Sequence, residues 1–112
     1  MSKDPIEYLK HILDECEYIV SVSENLSLES FLNDETLKRA VARSLEIIGE
    51  ATKKIPADFK AQWNLIQWKN MAGMRDRLIH DYMGTNYSIV WDVVKNKIPA
   101  VHIQVQEILT GN

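Results

Sequence analysis

Apolar residues recur at intervals of three and four along nearly the whole chain, a spacing that is typical of amphipathic helices. The first helix is predicted to begin after Asp4, because an aspartate followed by Pro5 is a common helix start. Its apolar face consists of Ile6, Leu9, Leu13, Cys16 and Val20. No stretch shows the strict alternation of a strand, so the pattern predicts an all-helical protein.

Four further helices are predicted over 34–55, 68–82, 86–94 and 99–108. Pro56 ends the second helix, Gly84 is a natural stop for the third, and either Asn86 or Ser88 can cap the fourth. The polar segment 21–33 is expected to connect the first two helices, with room for a single helical turn, and a short link precedes the third. We therefore expect an all-α, up-and-down bundle of four to five helices that forms one domain over residues 1–112.

Composition narrows the class of protein. With 112 residues, 46% of them apolar, the chain can bury one modest core. No apolar run approaches the roughly 18 residues of a membrane span, which predicts a cytoplasmic protein without membrane contact. The single cysteine, Cys16, is expected in the core, and His11 and His102 are expected at the surface. No His, Cys and carboxylate residues share metal-ligand spacing, so neither a metal nor a cofactor is predicted.

The net charge of −3 argues against broad binding to nucleic acid, which depends on many Lys and Arg contacts to phosphate. An RNA ligand would need a local basic site. Six basic residues in the second half of the chain could supply one: Lys53, Lys54, Lys69, Arg77, Lys95 and Lys97. Such scattered charges more often form a solvated face. The three tryptophans could stack on RNA bases, although core packing is the simpler role for them.

The third predicted helix carries a charge in its apolar face. Arg75 lies where the period favours leucine or isoleucine, and buried charges are rare without a partner. Tyr82 follows seven residues later, on nearly the same line along the helix. Arg75 could form an ion pair with Glu50 of the neighbouring helix, or it could meet a charged substrate. Tyr82 alone would fit a tyrosine at the edge of the core.

His80 lies five residues after Arg75, about 140° around the helix, whereas Asp76 is one turn before His80 and can orient its imidazole. One straight helix therefore cannot easily direct Arg75 and His80 at the same phosphate. A second copy of the helix could supply the missing group, which favours a site at a two-fold dimer interface. A histidine that only caps the end of the helix would show the same sequence pattern as a catalytic one.

The run RDRLIHDY at residues 75–82 has the form R-x4-H-x-Y and resembles the signature of HEPN ribonucleases of the HepT type, which are toxins of bacterial and archaeal toxin–antitoxin pairs. The stretch GEA at 49–51, and IVWDVV at 89–94 followed by IP at 98–99, resemble that family's order on either side of the motif. The resemblance covers nearly the whole chain.

The resemblance implies metal-independent cleavage of RNA, in which the ribose 2′-hydroxyl attacks the adjacent phosphate. His80 would act as general base or acid, and Arg75 would stabilise the charge on the phosphoryl oxygens. Asp76 and Glu50 would be supporting or substrate-contacting residues. In a homodimer, the two copies of His80 could divide the roles of base and acid.

The resemblance also implies a protein partner. HepT-like toxins are silenced by a minimal nucleotidyltransferase, the antitoxin, which transfers AMP to the tyrosine of the motif, and Tyr82 matches that acceptor. An AMP group beside Arg75 would occupy the place of the substrate phosphate and neutralise the arginine.

Two other functions stay open at this point. Some HEPN domains lack nuclease activity and act as binding or dimerisation modules that partner a minimal nucleotidyltransferase. A purely structural dimerisation bundle would use Arg75 only to fix the register of the two copies. Growth arrest when the protein is produced alone, relieved by His80→Ala, would favour the ribonuclease.

Overall fold

The computed structural model describes residues 4–80 and 85–111; within the helix Trp68–His80, the side chains of residues 74–75 and 77–80 are not described. Over these ranges the chain forms seven helices and no strand, which confirms the predicted all-helical fold. The helices are α1 (Pro5–Ser23), α2 (Leu28–Asn33), α3 (Glu35–Lys54), α4 (Ala57–Gln62), α5 (Trp68–His80), α6 (Tyr87–Asn96) and α7 (Ile98–Leu109).

Side-chain caps set the beginnings of three long helices. Asp4 Oδ1 accepts a hydrogen bond from the backbone amide of Ile6 at 2.9 Å, which begins α1 ahead of the N-terminal proline. Asp34 Oδ1 accepts from the amide of Leu37 at 2.9 Å and begins α3. Asn86, one of the two predicted caps, accepts from two amides in the first turn of α6. These helix starts agree with the prediction from sequence.

Two short helices lie where connections were predicted. α1 continues to Ser23 before the chain turns into α2, and α4 occupies the predicted link ahead of α5. Ser27 caps α2, whereas Pro56 precedes α4 without a side-chain cap. Six residues are too few for an apolar period to be recognised, which is why the count of four to five fits only the longer helices. The predicted stop at Gly84 lies outside the described residues.

The core is built around α1. α1 packs against both α3 and α7, α6 packs on α7, and α2 packs on α6. α5 lies at the edge of the bundle and packs chiefly on α3. The side chains that are almost fully buried between these elements include Leu9, Ile12, Ile19, Phe31, Val41, Leu45, Val90, Val94 and Val105. The ring of Phe31 packs on Trp91, with 5.1 Å between ring centres.

Cys16 belongs to this core, as the sequence predicted. Its side chain on α1 is 0% exposed, and burial raises the pKa of its thiol to about 12, with Glu15 and Glu17 adding to the effect. The thiol is therefore neutral in the folded protein at physiological pH.

The contact between α2, α3 and α6 is centred on Lys38. Its Nζ donates to the backbone oxygen of Leu32 at 3.1 Å and lies 2.9 Å from Glu35 Oε1. The same ammonium lies 4.8 Å from the centre of the Tyr87 ring, and the Lys38 side chain is only 14% exposed. The hydrogen bond from Lys38 lowers the pKa of Glu35. We refer to Lys38, Leu32, Glu35 and Tyr87 as the Lys38 cluster.

Candidate active site

The two residues predicted to be catalytic lie on one helix at the edge of the bundle. Both Arg75 and His80 belong to α5, and five residues of helix separate them by about 7.5 Å along its axis. Their side chains, and Tyr82 as a whole, lie outside what the structure describes. The roles that the sequence assigned to these three residues therefore stay predictions.

The start of α5 is anchored by Trp68. Its indole N–H donates to the backbone oxygens of Lys60 at 3.2 Å and Trp63 at 3.1 Å, so the last turn of α4 is joined to the first turn of α5. Trp68 itself is 8% exposed, and Met71, nearly one turn later, is buried in the same core. These contacts orient the N-terminal half of the helix that carries the motif.

An ion pair joins α5 to α3 beside the motif. Lys53 Nζ lies 2.5 Å from Asp76 Oδ1, and both side chains are partly exposed. Partly exposed pairs contribute little stability, so the main effect of this contact is to orient the Asp76 carboxylate toward α3. The sequence predicted His80 as the partner of Asp76 and did not identify Lys53. The available signal was its position on α3, three residues after Glu50.

Glu50 lies near the surface of α3. Its side chain is 41% exposed, and its Oε1 is 4.0 Å from Arg43 Nη1, which also donates to Glu46 at 3.0 Å. A carboxylate with this exposure can reach toward α5 and solvent alike. The contact between Glu50 and Arg75 stays a prediction, because the side chain of Arg75 lies outside the described residues.

α5 has open space at Gly73, next to these residues. A side chain at Gly73 would meet no heavy atom within 4 Å. Lys69 is one turn before Gly73, and Asp76 is nearly one turn after it, so the three share a face of the helix. The backbone position of His80 follows on the same face one turn after Asp76. A ligand can therefore approach α5 closely beside the motif.

The other histidines behave differently from each other. His11 is exposed on α1, as predicted. His102 on α7 is only partly exposed, and its Nε2 is buried without a hydrogen bond to any residue within 4–80 or 85–111, so its predicted surface position was wrong for this atom. Within those same ranges, no three His, Cys, Asp or Glu side chains are grouped to hold a metal ion.

The tryptophans serve packing rather than an open stacking surface. Trp91 contacts Phe31, Trp68 is buried, and Trp63 is packed against the core. This agrees with the simpler of the two roles considered from sequence.

The fold and the motif together define the class of protein: a small HEPN-type helical domain with R-x4-H on an edge helix. Comparison with known proteins gives the family. The model of the HepT-like ribonucleases matches residues 12–108, so the chain belongs to the HepT-like ribonuclease family and is an RNA-cleaving enzyme.

Similar proteins match this chain over most of its length. A candidate RNase of Caldanaerobacter subterraneus subsp. tengcongensis is 49% identical over 107 residues, which cover 96% of each chain. A candidate RNase of Methanocaldococcus jannaschii is 42% identical over 96% of this chain and 88% of its own. A protein of Thermococcus cleftensis named as a probable ribonuclease HepT is 43% identical over 90% of this chain and 92% of its own. No solved structure matches the chain significantly. No described helix is both long and apolar enough to cross a membrane.

Proposed function

We propose that the protein is the ribonuclease toxin of a toxin–antitoxin pair and cleaves RNA endonucleolytically without a metal ion, using Arg75 and His80. The observation that carries the proposal is the placement of both residues on α5 in a chain of the HepT-like ribonuclease family. We further propose that residues 1–112 act as one cytoplasmic domain.

In the proposed reaction, the ribose 2′-oxygen forms a bond to the adjacent phosphorus while the bond from phosphorus to the 5′-oxygen breaks. His80 of one protomer takes the proton from the 2′-hydroxyl, and an imidazolium gives a proton to the departing 5′-oxygen. Arg75 stabilises the negative charge on the phosphoryl oxygens. The electron pair of the broken bond stays on the 5′-oxygen, so no oxidant or reductant is needed.

Two further residues are proposed to support this pair. Asp76 directly follows Arg75 and is held by Lys53, so it can orient a neighbouring group or contact the substrate from a fixed position. Glu50 is partly exposed on α3, the helix on which α5 packs, and we propose that it orients Arg75.

The site is proposed to be completed in a homodimer. α5 packs chiefly on α3, and Lys69 and Asn70 in its first turn are exposed. The angular offset of about 140° between Arg75 and His80 favours a second α5 that supplies the group one copy cannot direct at the phosphate. In a two-fold arrangement each phosphate would meet Arg75 and two histidines.

Tyr82 is proposed as the regulatory residue. A minimal nucleotidyltransferase would act as antitoxin and transfer AMP to its hydroxyl, because the tyrosine stands two residues after His80 in the R-x4-H-x-Y pattern. The adduct would add negative charge beside Arg75 and block the approach of RNA.

RNA cleavage in EDTA tests the proposal, comparing the wild type with His80→Ala and with His11→Ala as a matched control on the exposed face of α1. His80→Ala should lower the cleavage rate by roughly 10²- to 10⁴-fold, since it removes a general acid and base, while His11→Ala should cleave like the wild type. Tyr82→Phe should retain cleavage but resist AMP transfer. Equal cleavage by His80→Ala and His11→Ala would remove the assigned role of His80, and a wild type inactive on RNA would favour the non-catalytic binding module.

A further inference from the structure

The positive charge of the chain is concentrated around the motif helix. Residues 53–77 contain six Lys and Arg and two Asp, a net charge of +4, whereas the rest of the chain contains seven Lys and Arg and fourteen Asp and Glu, a net charge of −7. The net charge of −3 therefore conceals a basic region that extends from the end of α3 to the motif.

Part of this region surrounds a shallow depression where α4 meets α5. We call it the elbow depression and define its polar rim as Lys60, Asn64, Gln67, Lys69 and Asn70. Its volume is about 680 Å³, and no carboxylate is among the residues that line it. The rim offers two ammonium groups and side-chain amides, of which Asn70 Nδ2 already donates to Gln67 Oε1 at 2.8 Å, and the floor between them is apolar. The ammonium groups match phosphate oxygens, and the remaining amide groups match ribose hydroxyls and base edges.

The lysines of the elbow depression differ from most other cations of the described chain. In the first half, Lys10, Lys38, Arg39 and Arg43 each lie within 4.0 Å of a carboxylate. Lys60 and Lys69, like Lys54 and Lys97, form no ion pair within residues 4–80 and 85–111. What distinguishes Lys60 and Lys69 is that both unpaired charges line the same depression, where an external anion can reach them.

The elbow depression also leads to the motif. Lys69 on its rim shares one face of α5 with Gly73 and with the backbone position of His80, and eleven residues of helix place Lys69 and His80 about 16 Å apart. Between them, a side chain at Gly73 would meet no heavy atom within 4 Å, and the carboxylate of Asp76 on the same face is paired with Lys53. An extended nucleic-acid strand can thus follow this face over a few nucleotides.

The anchoring of the elbow supports a binding role. The indole N–H of Trp68 donates to the backbone oxygens of Lys60 and Trp63, and Trp68 itself is buried. The backbone positions of Lys60 and Lys69 are therefore held in place by a buried side chain. A preformed site loses less conformational freedom when a ligand binds.

We propose that the elbow depression is a binding site for the phosphate backbone of single-stranded RNA, next to the catalytic pair along α5. Lys60 and Lys69 contact phosphates a few nucleotides from the bond that is cleaved, and the rim amides contact riboses or base edges. This inference rests on the proposed function, because it takes His80 as the point where the strand is cut.

The test compares Lys60→Gln/Lys69→Gln with Lys10→Gln/Arg39→Gln, a pair of exposed residues on α1 and α3 that changes the net charge equally. Binding is measured by fluorescence anisotropy with a labelled single-stranded RNA that is 2′-O-methylated throughout, so that it cannot be cleaved. We call Lys60→Gln/Lys69→Gln the elbow variant, and it should bind this RNA roughly tenfold more weakly than the control variant at moderate salt. Its plot of log K against log salt should be shallower by roughly 1.4, since each phosphate contact on a single strand contributes about 0.7.

Equal affinities and equal salt slopes for the two double variants would overturn the proposal. That result would be expected if the basic rim served an acidic protein instead, or if only net charge mattered. Circular dichroism checks that both double variants fold. We expect that they do, because the substituted residues are exposed or partly exposed.

The failure of this proposal can be told from a failure of the proposed function. If His80→Ala abolishes cleavage while the two double variants bind RNA alike, the elbow depression is not the site but the nuclease assignment stands. If His80→Ala cleaves normally while the elbow variant binds RNA more weakly, the binding site stands and the catalytic assignment fails. A wild type that does not bind the RNA overturns both.

Discussion

The Lys38 cluster and the elbow depression show two uses of lysine in one small domain. Lys38 is 14% exposed and contacts a carboxylate, a backbone oxygen and an aromatic ring of its own chain. Lys60 and Lys69 surround a depression of about 680 Å³ and form no ion pair with a described residue. The charge of Lys38 stabilises contacts within the protein, whereas the charges of Lys60 and Lys69 are available to a ligand.

The surfaces beside these lysines differ in the same sense. Near the Lys38 cluster lies a depression of about 550 Å³ whose lining includes Glu29, Asp34 and Glu35. Such a lining repels phosphate, whereas the elbow depression has no carboxylate in its lining. We expect changes near the Lys38 cluster to alter stability alone and changes at the elbow depression to alter RNA binding.

The largest effect is expected from Phe31→Ala. Phe31 is 1% exposed and packs on Trp91, so its removal leaves a cavity and should lower the free energy of unfolding by about 3–5 kcal/mol. Urea denaturation measures the change. RNA affinity per folded molecule should stay that of the wild type, and a specific loss of affinity would break the separation between the two regions.

Trp68→Phe is expected to have an intermediate effect on both properties. The variant loses volume and the indole N–H that joins the carbonyl groups of Lys60 and Trp63, which should cost about 2 kcal/mol of stability. The elbow depression should also lose its fixed shape, so RNA binding should weaken at temperatures where the variant is still folded. Unchanged binding would show that the anchor is not needed for recognition.

Lys38→Met is expected to lower the free energy of unfolding by about 1 kcal/mol. The methionine keeps most of the aliphatic packing but loses the hydrogen bond to Leu32 and the contact with Tyr87. The matched change Lys69→Gln should alter stability by less than about 0.5 kcal/mol, because Lys69 is exposed and forms no ion pair with a described residue. Equal losses in both variants would remove the distinction between structural and available lysines.

The pH dependence of stability that arises from the contact between Lys38 and Glu35 is expected to be the smallest effect and the most specific one. The hydrogen bond from Lys38 lowers the pKa of Glu35 in the folded protein, so its contribution is present above the ordinary pKa of 4.5 and is lost as pH falls below it. Wild-type stability should therefore decrease more steeply than that of Lys38→Met between pH 5 and pH 3, as measured by thermal unfolding. Parallel curves would show that the pair contributes nothing.

Long periodic elements could be predicted from sequence, and short ones could not. α1 and α3 have caps and several turns of apolar spacing, and both begin where Asp4 and Asp34 indicate. α2 and α4 have six residues each, so their existence depends on contacts such as that of Phe31 with the core. A tertiary contact of this kind leaves no local pattern.

The candidate site was predicted as a set of residues on one helix, and its neighbours were missed. The spacing of Arg75 and His80 is local information, whereas the ion pair between Lys53 and Asp76 joins residues 23 positions apart. Lys60 likewise lies near α5 because Trp68 joins α4 to α5, and this contact could not be predicted from local sequence. Which lysines are already neutralised by a carboxylate depends on the packed structure and cannot be read from charge counts.

The sealed thiol of Cys16 gives this protein a built-in reporter of its own opening. A reagent that consumes thiolate can act only when α1 separates from its neighbours, so the rate of labelling records that separation without any added probe. With one cysteine in the chain, each labelled molecule corresponds to one opening event. If bound RNA slows the labelling, RNA binding at α5 stabilises the packing of α1 in the centre of the bundle.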